Sequence, residues 1–168
     1  MRHNDLLHLN TNSDSEVLLN IFAYELQRVC GIDLTTDALF QALEAVYARV
    51  KGAYSAIIMI NGYGILAFRD PYGIRPLVYG KRETGEGTDY MVVSESIALD
   101  ALHYELIDDI APGEAVFIDL RGRCHRKQCA KQVEHSPCIF EYIYLARPDS
   151  VIDHIPVYKA RQNMGKKL

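Results

Sequence analysis

The sequence predicts an α+β domain in which two amphipathic helices precede a series of antiparallel strands. Apolar residues recur at helical spacing through two segments in the first third of the 168-residue chain. Short apolar runs separated by turn residues follow, and no helix alternates with them, which argues against a doubly wound nucleotide-binding fold. The length is sufficient for one domain with its own hydrophobic core.

The two helices are marked by their ends as well as by their periodicity. Ser13, followed three residues later by Glu16, predicts a capping box, and Gly31 ends the first apolar stripe. The second helix is predicted to begin at Thr36 and to end before Gly52. Each segment carries one apolar stripe, which is typical of an amphipathic helix.

The pattern then changes from helices to strands. Residues 54–60 are apolar on both faces, which predicts a strand in a sheet that is covered on both sides. Asn61-Gly62 predicts a hairpin, and the extra residues through Gly64 favour a four-residue loop before residues 65–68 pair back.

A tight turn at Asp70-Pro71-Tyr72-Gly73 separates these strands from the next ones. Asp at the first position, Pro at the second and Gly at the fourth are typical of a type I turn. The remaining elements follow in order: strands at 77–79, 90–94, 114–120, 124–128 and 137–145, a charged loop at 81–89, a short helix capped by Ser96 and running through Leu102, and the start of a helix from about Pro156.

The composition excludes several classes of partner and compartment. A net charge of −4 with 24% charged residues gives no electrostatic reason to expect nucleic acid or an anionic membrane as partner. No apolar run approaches the roughly 20 residues that a bilayer span needs. There is no signal-peptide core, and four scattered cysteines indicate reduced thiols, so a cytoplasmic location is expected.

Charged residues at helix and turn boundaries are the candidates for a site. Asp14 lies at the start of the first helix, where it either caps the helix or binds a substrate ammonium group. Arg69 and Arg75 flank the tight turn, where they either bind backbone carbonyls or Glu95, or hold an anion.

Metal and nucleophile patterns are weak. The cysteines and histidines between Cys124 and Cys138 fit no common zinc spacing, so no metal site is expected. No Ser, Cys or Thr lies in a recognisable nucleophile setting, and Met1 is followed by Arg, so no N-terminal nucleophile is expected here. From the residues alone, the sequence indicates an α+β domain without a complete active site.

Several segments taken together resemble one family. They are NTNSDSEVLLN at 10–20, KGAY at 51–54, AFRDPYGIRPLVYG at 67–80, VSESIALDAL at 93–102, APGEAV at 111–116, CIFEYIYLARPDS at 138–150 and VYKARQNMGKKL at 157–168. In this order they resemble the amidophosphoribosyltransferases. AFRDPYGIRPL is common to several class II glutamine amidotransferases, whereas EYIYLARPDS within the ordered set is typical of this family.

The resemblance implies a fold and an activity. The family makes 5-phosphoribosylamine from phosphoribosyl pyrophosphate and glutamine, in the first step of de novo purine (IMP) synthesis, and this glycosyltransferase activity uses glutamine-derived ammonia. Its glutaminase domain is an Ntn-hydrolase-type αββα sandwich, and a phosphoribosyltransferase domain follows. Residues 1–150 would then be a partial glutaminase domain, the C-terminal half of it, and 151–168 a junction and helix start toward the second domain.

The resemblance also implies which family residues this sequence contains. Asp14 matches the aspartate that contacts the glutamine α-amino group, whereas Arg69, Arg75, Ser94 and Glu95 would be structural residues near the site. The Cys-Gly-Ile motif with the nucleophilic cysteine, the His-Val-Arg segment and the His-Asn-Gly oxyanion segment are absent from this sequence, so we expect no catalytic residue in it and no activity from it alone.

Cofactors and partners follow from the same resemblance. Mg²⁺ would belong to the phosphoribosyltransferase domain of the parent enzyme, outside these residues. Some family members hold a [4Fe-4S] cluster through a cysteine just before the segment that corresponds to FEY at 140–142. Cys138 is therefore an iron–sulfur ligand candidate in the parent, although no cluster is expected in this chain alone. The parent would bind glutamine and phosphoribosyl pyrophosphate and form a homo-oligomer.

Two hypotheses of different classes therefore remain open. In the first, the sequence is a fragment of an amidophosphoribosyltransferase that is inactive alone. In the second, it is a non-catalytic interaction or complementing subunit of a split glutamine amidotransferase. In either case a sandwich without its first strands would expose a sheet edge and an apolar face, so we expect the chain to self-associate.

Overall fold

Two antiparallel sheets lie face to face, with a helix pair outside one sheet and a short helix outside the other. The computed structural model describes residues 9–31 and 33–168. Its elements are α1 Asp14–Val29, α2 Thr36–Arg49, β1 Ser55–Ile60, β2 Gly64–Arg69, β3 Val78–Thr84, β4 Gly87–Val93, α3 Ser96–Ala101, β5 Glu105–Asp109, β6 Glu114–Asp119, β7 Cys124–Gln128, a π-helical turn Glu141–Leu145, β8 Val151–Ile152, β9 Ile155–Pro156 and α4 Val157–Gly165.

The first sheet has the strand order β1-β2-β6-β7 and carries the larger core. Leu39, Leu43 and Val46 of α2 pack with Leu66 and Phe68 of β2 on its outer face, where all five side chains are buried. These apolar residues recur every three or four positions along α2 and every second position along β2, as helix and strand geometry require. The predicted helix–sheet arrangement is therefore present.

The second sheet has the order β4-β3-β5 and forms a second core with the first. Leu77 and Tyr79 on the β3 side pack with Ala67, Val116 and Ile118 of the first sheet, and α3 covers the outer side of β3 through Leu99. The resulting order of layers is helix, sheet, sheet, helix, as predicted.

The inter-sheet core is open along β1. Ile57 pairs with Ala67 across the β1–β2 ladder, so both side chains lie on the same face of the first sheet. The second sheet covers this face at Ala67. The side chains of Ile57 and Met59 are nevertheless 50% and 82% exposed. The prediction that residues 54–60 form a strand covered on both faces is therefore wrong for one face, because no described strand of the second sheet lies opposite β1.

Several local predictions need correction. The loop after β1 has three residues rather than four, since Gly64 already pairs with Ile60. The capping box does not form, because Glu16 accepts hydrogen bonds from Asn10 and Thr11 instead of from Ser13.

The prediction of a loop at 81–89, which was based on the charged residues there, is wrong. Most of that segment forms the hairpin of β3 and β4, with a turn at Gly85-Glu86. Ser96 is also not the cap of α3: Glu95 occupies that position, and Ser96 is the first helical residue. β5 was not predicted at all, because its sequence ELIDD is too acidic to stand out as an apolar run.

The segment from Cys138 onward has a core of its own. The apolar run at 137–145 was predicted as a strand, but it contains a π-helical turn whose Tyr142 packs with Ala146, Ile152 and Val157. The short hairpin β8–β9, also not predicted, and α4 complete this unit, which we call the C-terminal module (residues 138–168). Within the described ranges, no helix is both long and apolar enough to cross a membrane.

Candidate functional site

An open groove of about 1100 Å³ runs along the exposed side of β1. The start of α1 forms one wall, and the turn at Arg75-Pro76 with the end of β4 forms the other. The C-terminal module adds Glu141 and Leu145 to the second wall. Of the predicted site residues, Asp14, Arg75, Ser94 and Glu95 all line this groove, although they are up to 81 positions apart in sequence (95 − 14).

Asp14 is the groove residue with the freest carboxylate. It is the first residue of α1, it is exposed, and it has no hydrogen-bond or ion-pair partner among the described residues. The partial positive charge and free N–H groups of a helix start stabilise a carboxylate at this position. The side chain is therefore fixed at the groove by its helix while its oxygens remain available to a cationic group.

Arg75 and Glu141 form the charged part of the opposite wall. Arg75 Nε lies 3.0 Å from Glu141 Oε1, but the angle is not that of a hydrogen bond, so this buried oxygen has no hydrogen-bond donor. Burial raises the pKa of Glu141, and the Arg75 charge offsets this only in part. The arginine side chain is half-exposed and faces the groove.

Ser94 lines the groove beside Glu95, which connects the groove to the C-terminal module. Glu95 lines the groove and also accepts hydrogen bonds from the Arg147 N–H and the Ser150 hydroxyl, both at 2.8 Å. The alternative of an ion pair between Glu95 and an arginine of the turn is not realised, since Arg75 pairs with Glu141 instead.

Arg69 lies outside the groove, in the protein interior. Its side chain is 1% exposed, and all five N–H groups have acceptors: the carbonyls of Gly73, Arg75 and Ile110, and both carboxylate oxygens of Asp153. Gly73 has a φ of +61°, and a Cβ there would approach the Arg69 guanidinium to 3.2 Å, so a glycine fits the turn best.

No cysteine is among the described residues that line the groove. Burial raises the pKa of Cys129 to about 12 and also raises that of Cys124. Cys138 has an intermediate exposure at the start of the C-terminal module. Because a thiolate is the reactive form, Cys124 and Cys129 are poor nucleophiles.

One group of potential metal ligands lies away from the groove. Ligand atoms of Asp108, Asp109 and His154 are all within 4.8 Å of one another. The carboxylates already have partners, however: Arg126 lies 3.1 Å from Asp108, and Asp109 accepts two backbone hydrogen bonds.

The fold and the groove together define a class of protein. The family model described as "Glutamine amidotransferase domain" matches residues 3–101, which include α1, α2, the first four strands and most of the groove. The chain therefore belongs to the glutamine amidotransferase domain family, and its sandwich is of the Ntn-hydrolase type.

The similar proteins are amidophosphoribosyltransferases. The enzyme of that name from Pseudomonas aeruginosa is 54% identical over 164 residues, and the one from Escherichia coli is 54% identical over 162. The solved structure of glutamine phosphoribosylpyrophosphate amidotransferase from B. subtilis, complexed with ADP and GMP, covers 97% of this chain with a TM-score of 0.77 at 32% identity. The match takes in 98% and 96% of this chain for the first two, and the chain spans about a third of each relative's length (33%, 32% and 32%).

Sequence reasoning missed Glu141 as a groove residue. Its segment was predicted as a strand, and a glutamate within an apolar run gives no signal of its own. Glu141 stands out only in the structure, where it is a buried carboxylate without a full set of partners, which is rare in proteins.

Proposed function

We propose that the groove binds the amino-acid end of glutamine, with Asp14 accepting hydrogen bonds from the α-ammonium group. The observation that carries this proposal is the partner-free carboxylate of Asp14 at the groove. An ammonium group on a carboxylate makes charge-assisted hydrogen bonds, which are stronger than neutral ones. Membership of the glutamine amidotransferase domain family supports glutamine as the amino acid.

The parent protein is then an amidophosphoribosyltransferase. It would use glutamine-derived ammonia and phosphoribosyl pyrophosphate to make 5-phosphoribosylamine, and the names and identities of the relatives support this assignment. Because the chain spans a third of those relatives, this activity, its Mg²⁺, the second substrate, a homo-oligomeric state and a cytoplasmic location are all proposals for the parent protein.

The chain by itself is proposed to bind glutamine without hydrolysing it. The described groove residues include no cysteine, and burial keeps the Cys129 thiol protonated, with a pKa of about 12. Amide hydrolysis of this kind needs an activated nucleophile and donors for the oxyanion. In the family these belong to the Cys-Gly-Ile and His-Asn-Gly segments.

A complementing role is the second candidate, and the open inter-sheet face along β1 favours it. Ile57 and Met59 are exposed apolar residues of β1, and no described strand pairs with the outer edge of β1. Such an edge can accept a strand from another polypeptide. A separate polypeptide with the family's nucleophile segments would then restore glutaminase activity in trans.

The experiment compares Asp14→Asn with a matched control, Asp37→Asn. Asp37 is also an exposed aspartate in the first turn of a helix, but it does not line the groove. We expect Asp14→Asn to weaken glutamine binding by up to about fivefold, the equivalent of the roughly 1 kcal/mol that a charge pair contributes at an exposed site. Calorimetric titration of the purified chain measures this.

The control should bind glutamine as the wild type does. Equal affinities for the wild type and Asp14→Asn would contradict the role of Asp14. The same samples are assayed for ammonia: release by the chain alone would refute its proposed inactivity, whereas release only after the separate polypeptide is added would favour the complementing role.

A further inference from the structure

The C-terminal module has a small buried apolar cluster of its own, and polar contacts attach it to the sandwich. Its buried cluster consists of Tyr142, Ala146, Ile152 and Val157, all from the module itself. Arg161 donates hydrogen bonds to the carbonyls of Tyr142 and Ala146 at 2.7 Å, which joins α4 to the π-helical turn. The module is therefore held together internally by side chains that do not belong to the two cores of the sandwich.

The central docking contact is the ion pair of Arg69 and Asp153. The two Arg69 terminal nitrogens lie 2.7 and 3.1 Å from the two carboxylate oxygens, and the Asp153 side chain is 10% exposed. Burial alone would raise the pKa of Asp153, but the hydrogen bonds and charge of Arg69, together with His135 at 3.1 Å, lower it. When the module is docked, the Asp153 carboxylate is therefore ionised near neutral pH.

Two further carboxylates hold the backbone of the module. Asp109 accepts hydrogen bonds from the N–H groups of Asp153 and His154, at 3.0 and 3.3 Å. Glu95 accepts from Arg147 and Ser150, as described above, and the Ser96 hydroxyl oxygen accepts from the N–H of Val151 at 2.8 Å. Every one of these contacts connects the sandwich to the segment 147–154.

The docking of the module sets part of one wall of the groove, because Glu141 and Leu145 belong to the module and line the groove. Buried polar contacts fix geometry well but stabilise less than apolar burial does, since both charges lose their water on docking. A unit that is attached in this way can open without unfolding of the cores.

We propose that Asp153 is a positioning residue: through Arg69 it latches the C-terminal module onto the sandwich and thereby places the Glu141 wall of the groove. The module then opens as a unit, and a ligand in the groove holds it closed. The link to the groove's ligand rests on the proposed binding of glutamine, whereas the latch itself rests only on the contacts above.

The experiment measures amide hydrogen exchange in the 168-residue chain and in two variants. Asp153→Asn removes the latch charge while keeping its shape, and Asp149→Asn removes the same charge from an exposed position of the same module. We expect Asp153→Asn to speed exchange of the docking amides of Val151, Asp153 and His154 roughly tenfold to 100-fold, because it leaves a buried guanidinium without its counterion. The amides of β2 and β6 should keep their wild-type rates, as should all amides in Asp149→Asn.

Two results would overturn the latch. Equal rates in Asp153→Asn and Asp149→Asn would show that the ion pair does not hold the module. A parallel increase in β2, β6 and the module would show that the module does not open separately. If Asp153→Asn fails to fold, exchange of the wild type at low denaturant decides instead: the docking amides must exchange through a smaller opening than those of β2 and β6.

A ligand arm tests the positioning role. Glutamine should slow exchange of the three docking amides in the wild type, although none of their residues lines the groove, and Asp153→Asn should weaken glutamine binding while Asp149→Asn should not. Bound glutamine without this protection would overturn the positioning role. Failure of the wild type to bind glutamine would contradict the proposed function, and the exchange comparison of the two variants would still decide the latch.

Discussion

The sequence predicts both Asp14 and Arg69 as candidate site residues at element boundaries. The structure places them in different environments, Asp14 at the groove and Arg69 in the interior. A carboxylate at a helix start is common with or without a ligand, so local sequence left capping and ammonium binding open for Asp14. The structure gives this side chain no described partner and places it at the groove. Arg69, by contrast, is fully buried and has an acceptor for every side-chain N–H, so its role is structural.

At the residue scale, we expect Asp109 to make the free energy of unfolding depend on pH. Burial raises its pKa, although the N–H groups of Asp153 and His154 and the His154 ring oppose this, and the Asp153 carboxylate adds to it. The folded state therefore binds this proton more readily than the unfolded state, so the contribution of Asp109 to stability falls as pH rises from below its unfolded pKa through its folded pKa.

Asp109→Asn removes this titration. The wild type loses the contribution of Asp109 as pH rises, and the variant does not. The free energy of unfolding of the variant minus that of the wild type should therefore increase between about pH 4 and pH 7, as measured by urea denaturation at each pH. Asp108→Asn is the matched control on the neighbouring, more exposed residue, which pairs with Arg126. A difference that does not change with pH for Asp109→Asn, or that changes equally for both variants, would contradict the raised pKa.

At the element scale, the sequence predicted the longer helices and several strands well, and it failed where composition and local structure disagree. α2 and β7 lie within about two residues of their predicted bounds, because their periodicity or flanking turns are clear. The run at 137–145 is apolar and aromatic, like a strand, yet tertiary packing of Tyr142 makes it a π-helical turn. Exposure of one face of β1 was beyond prediction from its residues, since it depends on what lies opposite the strand.

Because no described strand pairs with the outer edge of β1, we expect the isolated chain to self-associate. The strand contains no charge and no proline, which are the usual protections of an edge. Met59→Lys should raise the dissociation constant for self-association about tenfold or more, the equivalent of burying one Met side chain. Sedimentation velocity over a range of concentrations measures this. Leu120→Lys, at another exposed apolar residue, is the control and should have little effect. A monodisperse wild-type monomer would contradict the prediction.

At the scale of the whole molecule, the groove brings together residues that no local pattern connects. The early helix supplies Asp14, the turn after β2 supplies Arg75, the end of β4 supplies Glu95, and the C-terminal module supplies Glu141. Sequence motifs identified three of these four because they match a family in order along the chain, and missed the fourth because its position depends on docking of the module. In the account proposed here, the sandwich, its open side and the docked module form a groove that binds glutamine, and the module is a movable part of one wall.

The central claim, that the groove binds glutamine through its α-ammonium group, is tested most directly by amide chemical-shift mapping of the wild-type chain. Glutamine is compared with 4-carbamoylbutanoate, which has the same amide and carboxylate but no amino group. The account predicts that glutamine shifts the amides of Ser15, Leu18, Ser94 and Glu95, all at the groove, and that 4-carbamoylbutanoate shifts them much less. Equal shifts with both ligands, or shifts confined to residues away from the groove, would contradict it.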